Sequence, residues 1–410
     1  MSEQRFVIVG GSLAGVKAAE ALREGGFGGS IVMLEAGHDL PYDRPPLSKG
    51  ALKGEETYDS ATLHPQSWYA DNDIDLRLGN EVWRIDLSAH EVHLHVQDRL
   101  RYDKLLLATG SRVRTINVPG AEADGVFYLR TRDDSQRLQK RFEDRPDVVV
   151  VGAGWIGMEA AAAARGYGCA VTILEPQATP LHAVLGPEVG QVYADLHTGN
   201  GVDLRVGEGV SEFVTKDGQV TGVRTSGGDV VSADMVVVGV GVIPNTGLAE
   251  EAGLEVDNGV LCDQALRTSD PDVYAAGDIA HWFNPLLGQR VRVEHWANAH
   301  DGGLVAGRSM LGQDVVYDVV PFFFSDQYDT GMEYAGYVPR GADATVVTRG
   351  DVAGHEFMAF WLDGDRVLAG MHMNVWDTIE TVQDHIRTAR RVDLVRLADA
   401  DVPLTEVGLT

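Results

Sequence analysis

The sequence predicts an α/β protein with two nested Rossmann-like dinucleotide-binding folds and an α+β segment at its C-terminal end. Three observations carry this. Val7-Ile8-Val9-Gly10-Gly11-Ser12-Leu13-Ala14-Gly15 is a β-branched run, a glycine turn and the start of an alanine-rich stretch. Val148-Val149-Val150-Val151-Gly152-Ala153-Gly154-Trp155-Ile156-Gly157 repeats that order. From about residue 325 the glycine turns cease, and Ala344-Thr345-Val346-Val347-Thr348 and Phe357-Met358-Ala359-Phe360-Trp361 read as antiparallel strands.

Each strand–turn–helix unit points backbone N–H groups at a helix N-terminus, where the helix dipole favours a pyrophosphate. In the first unit Gly10 and Gly15 keep the motif, and Ser12 stands where the second glycine is expected. Its hydroxyl is small and can donate to a phosphate oxygen. The second unit is intact at Gly152, Gly154 and Gly157. Each unit continues into a strand that ends in an acid: Ser30-Ile31-Val32-Met33-Leu34-Glu35 and Ala170-Val171-Thr172-Ile173-Leu174-Glu175. A carboxylate there accepts from the ribose hydroxyls of an adenosine. Glu175 also repels a 2′-phosphate, and Pro176-Gln177-Ala178-Thr179-Pro180 carries no Arg or Lys to bind one. The second site therefore favours NADH over NADPH. Two dinucleotides in one chain imply electron transfer between them.

Composition narrows the class. The chain has 410 residues, enough for two or three domains, and 34 basic against 61 acidic residues give a net charge of −27. Such acidity argues against nucleic acid as a partner. No apolar run approaches the ~20 residues that span a bilayer, and the first strand starts too early to leave room for a signal peptide, so a cytoplasmic, membrane-free protein is expected. Cys169 and Cys262 are far apart in sequence and form no Cys-x-x-Cys pair. No dithiol relay is expected, and electrons must leave directly to an outside acceptor. The histidines, His182, His281 and His295 among them, show no metal-ligand spacing.

Along the chain, residues 1 to about 115 read as strand, glycine turn, helix, strand and a long loop, closed by the buried strand and turn Tyr102 to Ser111. The βαβ pattern restarts with the second turn and ends on Met235-Val236-Val237-Val238-Gly239-Val240-Gly241. Asp278 follows the short strand in Ser269 to Gly277, where a helix start is expected, and an arginine-rich helix is expected to close the chain.

Together these motifs resemble the FAD-dependent, NADH-using ferredoxin reductases of bacterial oxygenase and cytochrome P450 systems, the putidaredoxin reductase-like group related to apoptosis-inducing factor. The resemblance covers the whole chain. Its most specific block is Pro41-Tyr42-Asp43-Arg44-Pro45-Pro46-Leu47-Ser48-Lys49, supported by Ala108-Thr109-Gly110, Tyr274-Ala275-Ala276-Gly277-Asp278 and Arg292-Val293-Glu294-His295-Trp296. It implies a glutathione reductase-like arrangement: an FAD domain at 1–115 and 246–324, an NAD domain at 116–245 and a C-terminal domain at 325–410. It implies that Lys49 lies beside the flavin and pairs with Glu159, and that Arg44 and Lys49 place positive charge where a reduced flavin is anionic. It further implies that Leu13, Ala14, Val82, Arg130, Gly277, Asp278, Glu294, His295 and Trp296 serve FAD. Trp155, Ile156 and Gly241 would serve NAD. Asp278 would need the help of a helix N-terminus to sit near a pyrophosphate. Phe324 stands where the family often has tryptophan, and Gly331-Met332-Glu333-Tyr334-Ala335-Gly336 departs from the commonest version. This surface is therefore open to a different acceptor.

The activity the resemblance implies is an NADH-dependent ferredoxin reductase: FAD takes two electrons from NADH and releases them singly to a small 2Fe-2S ferredoxin. The alternatives are an NADH oxidase or a reductase of a quinone or other small acceptor, and a redox-controlled binding protein like apoptosis-inducing factor. Ferredoxins are usually acidic, so docking on an acidic chain needs a local basic patch. His385-Ile386-Arg387-Thr388-Ala389-Arg390-Arg391 offers one, with Arg387 and Arg391 on one helical face and Arg390 close by.

Overall fold

A computed structural model describes residues 4–95, 98–339 and 341–409. The chain divides into two compact units. The first is built from Met1–Asp43, Asp59–Arg112 and Ile243–Pro321, the second from Arg44–Tyr58, Val113–Val242 and Phe322–Thr410.

The first unit is organised around a parallel sheet in the order Val273–Ala275, Lys104–Leu107, Arg5–Val9, Ser30–Leu34 and Ile74–Arg77. Its central strands are buried along almost their whole length, as a sheet covered on both faces requires. Helices Leu13–Glu24 and Trp296–Met310 pack closely, because a Cβ at Gly303 would lie 2.4 Å from the Ala14 carbonyl oxygen. Where the sequence reads as a long loop, the structure has an antiparallel sheet of Arg84–Asp86, Glu91–His95 and Asp98–Arg101. These strands are short and charged, so they carry little hydrophobic alternation to read.

The second unit repeats the parallel sheet, in the order Asp203–Val206, Ala170–Glu175, Asp147–Val151, Met235–Val238 and Val126–Phe127. It adds an antiparallel sheet in the order Phe322–Gln327, Thr330–Gly336, Arg366–Met373, Glu356–Asp363 and Thr345–Asp351. The two sheets share a core. Ala160, Ala161 and Ala164 of helix Trp155–Tyr167 belong to the same buried cluster as Tyr334, Phe357, Trp361 and Met371. Among the described residues no helix is long and apolar enough to cross a membrane.

The chain closes on helix Ile379–Arg387, a short helix Leu394–Ala398 and a 3-10 turn Leu404–Glu406. The expected arginine-rich helix therefore stops at Arg387. Ala389 takes φ 49°, and Arg391 bridges to Arg366, so Arg387 and Arg391 do not share a helical face. Arg387, Arg390 and Arg391 are all exposed, and Arg391 pairs with Asp365 at 3.5 Å.

Candidate functional site

In the first unit, Gly10 ends the strand at φ 112°, with its N–H donating to the Leu34 carbonyl at 2.8 Å. A Cβ there would fall 2.2 Å from the Ala108 carbonyl oxygen, and one at Gly15 would fall 2.1 Å from the Gly10 carbonyl oxygen. Both glycines are thus demanded by the turn and by the close approach of helix to strand. Ser12 is the N-cap residue, yet its hydroxyl makes no capping bond, and the first helical turn, where Leu13 and Ala14 are buried, holds no acid. Glu35 accepts from Gly11 N–H at 2.7 Å through Oε2 and from Gly37 N–H at 2.8 Å through Oε1.

The Ala108-Thr109-Gly110 turn follows the neighbouring strand Lys104–Leu107. Ala108 N–H donates to the Val9 carbonyl at 2.8 Å. Asn245, which the sequence reading missed, clamps the next two residues. Its Nδ2 donates to the Thr109 carbonyl at 2.8 Å, and its N–H donates to the Gly110 carbonyl at 2.9 Å. Asn245 follows a proline after a buried strand, but that context alone names no role. Val82 is buried. Trp296 is half-exposed and donates through Nε1 to Asp43 Oδ1 at 2.7 Å. Glu294 is exposed and paired with Arg292 at 2.6 Å.

Asp278 corrects one expectation. Gly277–Ile279 is a three-residue 3-10 turn, because the next strand starts at Ala280, so no α-helix N-terminus begins at Asp278. Its neighbour Gly277 packs instead against two helices. A Cβ on Gly277 would lie 3.2 Å from Ala14 Cβ and 3.8 Å from Ala299 Cβ, each in the first turn or so of its helix. Burial pulls the His295 imidazole down to about 4, against the opposing influence of Asp278.

The second unit repeats the cradle closely. Gly152 takes φ 96°, its N–H donates to the Leu174 carbonyl at 2.8 Å, and its Cβ would meet the Gly239 carbonyl oxygen at 2.6 Å. A Cβ on Gly157 would fall 2.2 Å from the Gly152 carbonyl oxygen. Glu175 accepts from Ala153 N–H at 2.7 Å through Oε2 and from Gln177 N–H at 2.8 Å through Oε1, the same pair of bonds as Glu35 makes. Gly154 differs from its neighbours: a Cβ there would meet only the Gly239 carbonyl oxygen, at 3.9 Å. Protein packing does not require that glycine, but a backbone-hugging pyrophosphate does. Gly241 also faces open space, at φ 96°. Trp155 packs edge-on to Tyr193 and Phe323, while Ile156 is 44% exposed. Both cradles therefore fit dinucleotides.

The Lys49–Glu159 pair also lies in the second unit. Pro45–Ser48 forms a 3-10 turn with Pro45 and Pro46 at its start, which sets Lys49 just past its end. Arg44 donates through Nη1 to the Arg130 carbonyl at 2.6 Å, tying this segment to the residues before helix Arg132–Phe142. Lys49 Nζ meets Glu159 Oε1 at 2.7 Å, with side chains 14% and 2% exposed. Glu159 is the fifth residue of helix Trp155–Tyr167. Ser325 Oγ donates to the same Oε1 at 2.7 Å, and Ser48 Oγ donates to Oε2. Lys49 Nζ lies 5.5 Å from the centre of the Phe324 ring. Burial raises the carboxyl pKa of Asp326, next in sequence to Ser325, against the pull of Lys49. A carboxylate so buried is stable only when several donors meet it. The pairing of Lys49 with Glu159 was implied by the family resemblance, whereas the parts of Ser48 and Ser325 were not, since an isolated serine carries no pattern.

Residues 4–303 match the family described as pyridine nucleotide-disulphide oxidoreductase, and residues 322–408 match the reductase C-terminal family. The chain belongs to the pyridine nucleotide-disulphide oxidoreductases. It is similar to the anthranilate 1,2-dioxygenase system ferredoxin–NAD(+) reductase component of Burkholderia cepacia, 42% identical over 98% of this chain and 99% of the relative. It is also similar to rhodocoxin reductase of Rhodococcus erythropolis, 40% identical over 90% of this chain and 86% of the relative. Among solved structures, the covalent putidaredoxin reductase–putidaredoxin complex matches with a TM-score of 0.95 and 36% identity, over 98% of each chain. As a pyridine nucleotide-disulphide oxidoreductase this chain has no disulfide, because Cys169 and Cys262 are both buried free thiols. Among the described residues no cluster of three or more His, Cys, Asp or Glu side chains is arranged to hold a metal.

Gly10→Ala should cost at least about 2 kcal/mol and lower the thermal midpoint by several degrees, whereas Gly154→Ala should leave that midpoint within about 2 °C and weaken NADH binding about tenfold or more. Calorimetry and NADH titration separate the two outcomes. Burial likewise brings His197 down to about 4. Between about pH 6.5 and pH 4 the unfolded chain carries protons on His197 and His295 that the folded chain lacks. Stability should therefore be full above that window and fall as the pH drops through it. Unfolding near pH 5.5 should take up at least about one proton, and calorimetry in buffers of different ionisation enthalpy would show it.

Proposed function

We propose that this chain is an NADH-dependent, FAD-containing ferredoxin reductase, which feeds single electrons to a small 2Fe-2S ferredoxin serving an oxygenase or cytochrome P450. The observation that carries this reading is the repeated cradle, Glu35 with Gly10–Gly15 and Glu175 with Gly152–Gly157, together with the pairing of Lys49 with a Glu159 buried on the helix of the second repeat. Relatives named as ferredoxin reductases along nearly the whole chain support the acceptor.

We assign 1–115 and 246–324 to the FAD domain, 116–245 to the NAD domain and 325–410 to the C-terminal domain. Glu35, the Ala108-Thr109-Gly110 turn and Asp278 hold FAD, aided by Val82, Arg130, Glu294, His295 and Trp296. Gly152, Gly154, Trp155, Ile156, Gly157, Glu175 and Gly241 hold NADH. Bound FAD accepts two electrons together and gives them up one at a time. The chain's own part is position and charge. Glu159 holds Lys49 Nζ at 2.7 Å, so that one largely buried cation would be fixed beside the reacting end of a bound nicotinamide. The Phe324 ring, its centre 5.5 Å from Lys49 Nζ, would shield the same end from water.

Anaerobic addition of NADH should bleach the flavin bands at near-stoichiometric amounts, with a much weaker response to NADPH. Glu175→Ala should narrow that preference by about tenfold. A colourless protein, or a flavin that NADH leaves yellow, would overturn the assignment. Rapid turnover with oxygen or a quinone, and none with any ferredoxin, would favour a small-acceptor reductase.

The exposed Arg387, Arg390 and Arg391 are the proposed docking patch for an acidic ferredoxin. Reversing the charge of Arg387 and Arg391 should raise the apparent KM for ferredoxin at low salt and leave ferricyanide reduction unchanged. Equal loss of both activities would place the patch elsewhere.

A further inference from the structure

Beyond Glu159 runs a chain of buried polar groups for which the reaction described above has no use. Ser325 and Gln327 are two residues apart on the strand Phe322–Gln327, hence on the same side of it, and both are buried. Gln327 Nε2 donates to Ser325 Oγ at 3.2 Å, and Ser325 Oγ donates to Glu159 Oε1 at 2.7 Å. On its other end, Gln327 Oε1 lies 2.8 Å from Nε2 of His197, a residue of helix His182–Gly199 with no exposed surface. His197 Nδ1 lies 3.2 Å from the Tyr328 hydroxyl.

The chemistry of each group sets the direction of this chain. An amide oxygen only accepts, so His197 must carry its proton on Nε2. Nδ1 of the neutral ring is then an acceptor, and Tyr328 donates to it. A serine hydroxyl has one hydrogen, and Ser325 gives it to Glu159. All four bonds therefore point the same way, from Tyr328 through His197, Gln327 and Ser325 to the carboxylate. Aligned hydrogen bonds polarise one another, and the accumulated positive end rests on Glu159 Oε1, the oxygen that also holds Lys49.

We propose that Ser325, Gln327 and His197 are positioning residues for the reaction: their one-directional hydrogen-bond chain keeps the Glu159 side chain aimed, and through it fixes Lys49 Nζ. The inference rests on the reductase reading given above. It ties the reactive pair to the first strand of the C-terminal sheet and to helix His182–Gly199, two elements that carry neither glycine turn. Ser325 and Gln327 are buried and bonded toward Glu159, so their effect passes through it.

The test uses the holoprotein with Ser325→Ala, Gln327→Leu and the conservative Ser325→Thr. Single-turnover flavin reduction at saturating NADH should slow about fivefold or more in the first two, with the Kd for NADH changed less than about twofold, and Ser325→Thr should recover most of the rate. Nitrogen-15 spectra of the wild-type protein should show His197 neutral with its proton on Nε2, and Gln327→Leu should shift that population toward Nδ1–H. Reduction within about twofold of wild type in both variants would overturn the proposal, as would a wild-type His197 protonated on Nδ1. Ser325→Ala removes a single oxygen and keeps the test in hand if Gln327→Leu does not fold. The histidine spectrum does not depend on NADH chemistry. A wild-type flavin that NADH cannot bleach would sink the reductase reading while leaving the hydrogen-bond chain to be judged by the spectrum alone.

Discussion

A carboxylate taken out of water has to be met by donors, and Glu159 is met by three. Its side chain is 2% exposed, and the effective penalty for such burial is on the order of several kcal/mol. Ser48 and Lys49 come from the proline-stiffened segment, and Ser325 comes from the first strand of the antiparallel sheet. These stretches are far apart in sequence, and the carboxylate can be buried only where they converge on helix Trp155–Tyr167. The run Ala160 to Ala164 lets that convergence happen, because a methyl-lined helix face brings its neighbours close. Met371, Phe357 and Trp361 then seal the same core.

The two cradles answer a different electrostatic problem. A chain of net charge −27 must hold anionic dinucleotides. Both helices after the glycine turns lack an acid in the first turn and lack a side-chain cap, so their N–H groups and dipoles are left to the ligand. Glu35 and Glu175 are each held by two backbone N–H groups of their own unit, which fixes the carboxylate while leaving part of its roughly four lone-pair sites for a ribose. The near-identity of the bond lengths in the two units shows the same solution used twice.

Several features were legible in advance because they depend on neighbours in sequence. Gly10 and Gly152 sit at positive φ with no room for a Cβ, and a β-branched run before them makes a strand. Other features depend on distant neighbours and left no pattern to read. Asn245 clamps the turn at Thr109 from over a hundred positions away. The 3-10 turn at Asp278 replaces a helix because a strand follows at once and takes its backbone hydrogen bonds. The C-terminal helix ends at Arg387 because the chain turns through Ala389 to bridge with Arg366, a contact no helical periodicity contains.

By itself the sequence determined the two strand–glycine–helix cradles and their terminal acids, since sterics and backbone dihedrals act over a few residues, while the pairing of Lys49 with Glu159 came only through the family resemblance. Only the tertiary structure decided that the pair is buried and not a screened surface bridge, and that Ser48, Ser325, Gln327 and His197 stand behind it. The physical reason is that the worth of a charge or a hydroxyl depends on what surrounds it, and its surroundings here are assembled from segments that meet only when the chain has folded.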